Sequence, residues 1–161
     1  MSLINNIVKS YRKPKEVFDN FAYQEFGESH ALGFLTGGCG MAFMSRWPTL
    51  ARQSHLTSEP LDMMLGGALF AWIFVAPLLF YVLAAFIAVC LAILGMRRQG
   101  LLVRLSLFWA FLASGPIMLV YGLVGGFLGQ GTVSNGFGLM WVIVFLWFLI
   151  CGFRAIRQVA K

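Results

Sequence analysis

The sequence contains little charge: only 11% of its residues are Asp, Glu, Lys or Arg, whereas soluble domains carry about 25%. Hydrophobic residues make up 60% of the chain instead. A chain of this composition has too few polar side chains to cover its surface in water, so much of that surface must face lipid. The composition therefore predicts an integral membrane protein with no separate soluble domain.

Residue types that carry catalysis or bind metals are also scarce. The two histidines, His30 and His55, fall in segments predicted on opposite sides of the membrane, so they cannot share a metal ion. None of the six carboxylates lies in the middle of an apolar stretch, and no GxSxG, HExxH or Walker A pattern occurs. We therefore expect a protein that is not an enzyme and that uses no cofactor.

Basic residues outnumber acidic ones, 12 against 6, and they flank the apolar stretches. This placement predicts contact with anionic lipid headgroups on the cytoplasmic side of the membrane, and no binding of nucleic acid. The expected headgroup contacts are Lys9, Arg12, Lys13, Lys15, Arg97, Arg98, Arg154 and Arg157.

Residues 1–30 carry apolar side chains at helical spacing among charged ones. One such stripe consists of Leu3, Ile4, Ile7, Val8 and Tyr11. A segment of this kind lies in the headgroup layer, with its apolar face toward the hydrocarbon core. We therefore predict N-terminal amphipathic, interfacial helices ahead of the membrane domain.

Residues 31–161 are predicted to form an all-α bundle of four transmembrane helices, over about 31–47, 61–96, 105–129 and 137–153. The second span is unusual, because its 36 residues contain a single charge, Asp62, at the start. At ~1.5 Å per residue it would reach about 54 Å, against a hydrocarbon core of about 30 Å. Its last part must therefore tilt, lie in the interface, pack on the N-terminal helices or bind a partner.

Proline and cap signals mark the ends and bends of these spans. Pro77 in the second span and Pro116 in the third are predicted to kink their helices, because proline removes a backbone hydrogen bond. Residues 48–60 are predicted to form a loop. Ser58 is the expected N-cap of the second span, and Asp62 in its first turn complements the positive end of the helix dipole. The alternative for Asp62 is a proton or cation site.

The distribution of Lys and Arg predicts the orientation of the spans. Four spans place 10 of these residues on one side and 2 on the other, whereas five spans would divide them 8 and 4. Because cytoplasmic loops are enriched in Lys and Arg, the four-span topology is favoured, with both termini in the cytoplasm. We predict a multi-pass protein of the bacterial inner membrane.

Small residues recur at four-residue spacing in three of the spans, which lets another helix approach closely. Such faces predict packing within the chain, contact with a membrane-protein partner, or formation of a homo-oligomer. The candidate contact residues are Gly33, Gly37, Ala84, Ala88, Ala92, Gly122 and Gly126.

Three stretches resemble the short Yip1-domain membrane proteins of alphaproteobacteria. They are Tyr11-Arg12-Lys13-Pro14-Lys15, the run from Pro60 to Trp72, and Leu107-Phe108-Trp109-Ala110. The resemblance implies a polytopic membrane fold, and no activity is assigned to the short bacterial members. Eukaryotic Yip1 relatives usually have five spans and are linked to Rab GTPases and vesicle traffic. Because four spans are predicted here, Rab binding is not expected.

Three functions are compatible with these features. The first is a non-enzymatic scaffold, assembly factor or accessory subunit of a larger membrane complex. It would act through the last part of the second span, which exceeds the thickness of the hydrocarbon core. The second is a small-solute transporter or channel that uses bends at Pro77 and at Ser114-Gly115-Pro116. The third is a membrane-shaping protein that acts through the N-terminal segment.

Overall fold

In a computed structural model the described residues are 3–13, 18, 26–93, 100–129 and 131–159, without the side chains of 3–5 and 155–159. They form helices, and no strand occurs among them. The all-α prediction is confirmed for this part of the chain. The helices are α1 (Leu3–Arg12), α2 (Glu28–Thr57), α3 (Leu61–Ile93), α4 (Gly100–Phe127) and α5 (Thr132–Val159).

Among the described residues, three helices are long and apolar enough to cross a membrane: α3, α4 and the Thr132–Arg154 part of α5. They indicate a membrane protein, as the composition predicts. The remaining long helix, α2, is not among the three, and its 30 residues include Glu28, Arg46 and Arg52. A fourth crossing therefore needs a geometric argument in addition to composition.

Helix α4 lies at the centre of the bundle. Of its most apolar 18-residue window, 61% is buried, against 6% for α3 and 17% for α5. Trp109 and Phe108 of α4 are fully buried. The other helices therefore pack around α4, and they leave their outer faces to the surroundings.

Helices α2 and α4 run side by side in the same direction. Phe34 lies against Trp109 near their first turns, with ring centroids 4.9 Å apart. Near their last turns Arg52 donates a hydrogen bond to Phe127 O, at 2.9 Å. Residue numbers thus rise together along both helices, which makes the pair parallel.

Helices α3 and α5 run antiparallel to α4. On α3, Trp72 lies near Phe111, and Tyr81 lies near Phe108, with ring centroids 6.4 and 5.1 Å apart. On α5, Trp141 Nε1 donates to Ser114 Oγ of α4, at 3.1 Å, and a Cβ built on Gly152 would lie 2.9 Å from Ser106 of α4. Successive long helices therefore alternate in direction, as short connections between them require.

Helix α3 contains one π-helical turn, Ala71–Val75, between two α-helical parts. The N–H of Ala76 donates to Ala71 O, five residues earlier. This wide turn directly precedes Pro77, whose ring would otherwise crowd the carbonyl of Ile73 in a regular α-helix. Pro116 lies inside α4, which remains helical through it. The bends at Pro77 and Pro116 stay predictions.

The predicted loop over 48–60 is wrong for most of its length. Helix α2 continues through Pro48 to Thr57, because Thr49 and Arg52 beyond the proline bond to backbone carbonyls of α4. Ser58 then adopts a left-handed conformation, with φ at 58°, and ends α2.

Ser58 is therefore not the N-cap of the following helix. That position belongs to Pro60, and no side chain caps α3 there. The third and fourth predicted spans also begin earlier than the sequence indicated, at Gly100 and Thr132. The connection of residues 130–136 between these two predicted spans shrinks accordingly, although Gln130 itself lies outside the described residues.

Candidate functional site

The candidate site consists of the faces through which the helices of this chain contact one another or something else. The closest internal contact joins α2 and α4. Ser45 Oγ donates to Met118 O, at 2.6 Å, and Thr49 Oγ1 donates to Gly122 O, at 3.4 Å. Arg52 Nη1 continues this row at the end of α4. The hydroxyls of Ser45, which is buried, and Thr49, which is partly buried, are thus satisfied by the α4 backbone, as polar groups away from water must be, whereas Arg52 is exposed.

The glycines of α4 allow this close approach. A Cβ atom added to Gly122 would overlap Ser45 O, and one added to Gly126 would overlap Pro48. On α2, a Cβ at Gly37 would lie 3.1 Å from Leu112 Cδ1. Gly122 and Gly126 thus lie inside the chain's own helix interface, and Gly37, which is exposed, lies at the edge of that interface.

Gly33 is different, because it is exposed and nothing lies within 4 Å of a Cβ built on it. The GxxxG spacing of Gly33 and Gly37 therefore divides between two environments. Gly37 faces α4, and Gly33 faces outward, where it is free to meet lipid or another helix.

The three candidate alanines of α3 also differ in environment. Ala84 is buried, at 1% exposure, within the core cluster. Ala88 and Ala92 are partly exposed. The alanine stripe therefore begins against the bundle and runs toward its edge along the last turns of α3.

Large apolar side chains cover the opposite, unpacked face of those turns. The most exposed are Val82, Phe86, Val89 and Ile93, between 58% and 80% exposed. Their spacing of four, three and four residues is that of one seam of a helix. This spacing can be read from the sequence, but the sequence analysis selected the small alanines of the same turns as contact residues.

The C-terminal end of α3 extends beyond the ion pair that joins α2 and α4. Arg104 and Glu28 form this pair at the first turns of those helices, and both side chains are partly exposed. Because Tyr81 lies beside Phe108 in an antiparallel pair, about four further residues bring α3 level with Arg104. The helix then continues to Ile93, about 12 Å farther at 1.5 Å per residue.

Helix α1 is docked onto the bundle through its last turn. Trp109 Nε1 donates to Ser10 Oγ, at 3.0 Å, and Ser10 is fully buried. Tyr11 OH donates to Ala113 O, at 2.9 Å, and its ring meets Phe148 of α5 edge to face. Burial raises the pKa of Tyr11, so its hydroxyl remains a donor. Among the described side chains of α1, Ser10 is thus the most buried, and Ile7 and Tyr11 of the predicted apolar stripe also contact the bundle.

The predicted headgroup contacts lie at the same end of the bundle as α1 where they are described. Arg12, Lys13 and Arg154 are exposed, and Lys9 is partly exposed. Lys15, Arg97 and Arg98 lie outside the described residues, as does the side chain of Arg157. The ion pair of Arg104 with Glu28 was missed by the sequence analysis, because nothing local links residues so far apart.

Asp62 lies exposed in the first turn of α3. Within the described part of the chain, no group of three or more His, Cys, Asp or Glu side chains is placed to hold a metal ion. The place of Asp62 in the first turn of α3 fits interaction with the helix dipole.

No protein-family model matches the chain, and neither a curated protein nor a solved structure is significantly similar to it. Function must therefore be argued from the arrangement of the helices. The arrangement has a closely packed centre, α2 against α4, and a long apolar helix, α3, which contacts α4 on one side and is exposed on the other.

Proposed function

We propose that this chain is a non-enzymatic integral membrane protein that acts through helix contacts, as a scaffold, assembly factor or accessory subunit of a larger membrane complex. The observation that carries the proposal is the exposed face of α3. This helix is too long for the hydrocarbon core, and only 6% of its most apolar window is buried by the chain itself.

The pairing of α2 with α4 supports a fourth crossing. The two helices are parallel neighbours from the Glu28–Arg104 pair to the bond between Arg52 and Phe127 O. Whatever depth α4 crosses, α2 therefore crosses beside it. Arg46 and Arg52 lie near the far end, where long basic side chains reach the headgroups. This pairing supports a membrane domain of four helices, preceded by the docked helix α1.

The positive-inside rule supports an orientation with both termini in the cytoplasm and anionic lipid around the basic residues there. The bacterial inner membrane is the corresponding location. The stretches that resemble short Yip1-domain proteins support a Yip1-like type of membrane protein.

The last turns of α3 need cover that the described residues do not supply. Phe86, Val89 and Ile93 are exposed on the part of α3 that extends past the Arg104 level. Apolar side chains at that depth meet the headgroup layer or water, where each exposed large side chain costs about 1.5–3 kcal/mol relative to burial. A helix of a membrane-protein partner, or of a second copy, would bury this seam.

Site-specific photocrosslinking in native membranes tests the proposal. A crosslinking amino acid replaces Phe86, which is 65% exposed, and a matched control replaces Met44, which is 64% exposed on α2. We expect a discrete protein adduct from position 86 and lipid adducts alone from position 44. Lipid adducts alone from both positions would contradict a partner on α3.

A further inference from the structure

A cavity of about 380 Å³ opens at the far ends of α2 and α4, away from the Glu28–Arg104 pair. Its wall includes polar side chains of α2, Thr49, Arg52 and Gln53, and backbone of Gly125 and Gly129 of α4 and the following turn. Leu56 and Leu128 also line it, and these side chains are 74% and 66% exposed. The cavity is thus polar and cationic on one side and apolar at its rim.

Arg52 supplies a positive charge with unused hydrogen-bond donors. Arg52 donates two hydrogen bonds to the protein, and both come from Nη1: one to Phe127 O at 2.9 Å and one to Gly126 O at 3.4 Å. Nε and Nη2 lie beside Gly129, where a Cβ would be 3.1 Å from Nη2. Among the described residues no carboxylate pairs with Arg52. Two donor nitrogens therefore remain for an acceptor in the cavity.

The depth of the cavity matches a lipid headgroup layer. Arg52 follows Glu28 by 24 residues along α2, which corresponds to about 36 Å. The hydrocarbon core takes about 30 Å of a bilayer, and the headgroups extend its thickness to about 40–45 Å. With the Glu28–Arg104 pair at one boundary, Arg52 lies among the headgroups of the opposite leaflet.

We propose that this cavity binds a phosphate group, carried by a phospholipid headgroup or by a free anion. The planar guanidinium of Arg52 offers a pair of donors with the geometry that phosphate oxygens accept, and the Gln53 amide adds a further donor. The exposed Leu56 and Leu128 at the rim suit the first part of an acyl chain. The site rests on the proposed depth of the helices, and it is independent of any partner on α3.

Native mass spectrometry of the detergent-solubilised protein tests the site with three probes. Dioleoylphosphatidylglycerol carries phosphate and chains, dioleoylglycerol carries the chains alone, and inorganic phosphate carries the anion alone. We expect the phosphatidylglycerol to bind and the dioleoylglycerol not to bind. Binding of inorganic phosphate would add a soluble anion as ligand of the same site. Failure of both phosphate probes, or equal binding of dioleoylglycerol, would overturn the proposal.

Two variants and a control locate the binding. Arg52→Gln should weaken phosphatidylglycerol binding about tenfold or more, because a charged hydrogen-bonding partner is lost. Arg46→Gln removes the same charge from an exposed position of α2 outside the cavity and should leave binding within about twofold. An equal loss in both variants would show attraction by surface charge and overturn the site.

Arg52→Gln also removes bonds to the end of α4, so a second variant separates binding from folding. Gln53→Glu keeps the size of the side chain and leaves the Arg52 bonds to α4 in place, but adds a negative charge to the cavity. It should weaken binding about tenfold while the thermal midpoint without lipid stays near that of the parent. Unchanged binding in Gln53→Glu would contradict a phosphate at this position.

Discussion

Gly122 is the position where one added methyl group should most disturb the bundle. In Gly122→Ala the new Cβ would overlap Ser45 O and lie 2.6 Å from the carbonyl carbon of that residue. Both atoms belong to the backbone of α2, so no side-chain rotation relieves the clash. Helix α2 must move away from α4, which stretches the Ser45–Met118 and Thr49–Gly122 hydrogen bonds.

The expected cost follows from these two effects. Overpacking of a closed contact costs about 1–3 kcal/mol, and a weakened buried hydrogen bond adds about 0.5–1.5 kcal/mol. We therefore expect Gly122→Ala to lower the free energy of unfolding by about 2–4 kcal/mol. Circular dichroism in mild detergent, recorded during unfolding by heat or by a denaturing detergent, measures the difference in unfolding free energy between the variant and the parent protein.

Two other glycines of this chain provide the matched controls. A Cβ at Gly33 or at Gly40 meets nothing within 4 Å, and both lie in helix α2. Gly33→Ala and Gly40→Ala should leave stability unchanged or raise it by up to about 1 kcal/mol, because alanine favours the helix. If Gly122→Ala unfolded like these controls, the close packing of α2 on α4 would be refuted.

Two further predictions concern the remaining contacts of α4. Tyr11→Phe removes the bond to Ala113 O and should cost about 1 kcal/mol in the thermal unfolding of the bundle. Because burial raises the pKa of Tyr11 above its ordinary 10.0, its contribution is fully present below pH 10.0 and is lost as the pH rises through the raised pKa. If Tyr11→Phe lost the same stability over the same alkaline pH range as the parent protein, the loss could not be assigned to Tyr11. Glu28→Gln should cost about 0.2–1 kcal/mol, and less in high salt, since its pair with Arg104 is partly exposed. A salt-independent loss would argue against the pair.

Local sequence patterns predicted the helices that are both long and apolar. Leu61–Ile93, Gly100–Phe127 and Thr132–Arg154 have a high mean hydropathy and few charges, and both properties can be read from single windows. Their ends were less predictable. Helix α2 passes through Pro48, where a local reading expects a helix to stop, because its later turns bond to α4.

Contacts between distant segments were not predictable from local patterns. Gly122 and Gly126 were recognised as small, but their partners Ser45 and Pro48 lie more than 70 residues earlier. The burial of Ser10 against the indole of Trp109 likewise depends on a contact across the fold. Hydrophobic periodicity predicted an amphipathic helix here but carries no sign of the hydrogen bond to Trp109, and the interfacial position of α1 stays a prediction.

The central claim is that the exposed face of α3 is covered by another membrane protein or another copy of this chain. Extraction from the native membrane in mild detergent through a C-terminal tag, followed by measurement of the protein mass of the particle, tests it directly. We expect a stoichiometric complex heavier than the 17.9 kDa of a single chain. Its mass should fall to that of one chain when Phe86→Ser and Val89→Ser place hydroxyls on the seam. If the unsubstituted protein were extracted as a particle with the mass of one chain, the claim would be contradicted.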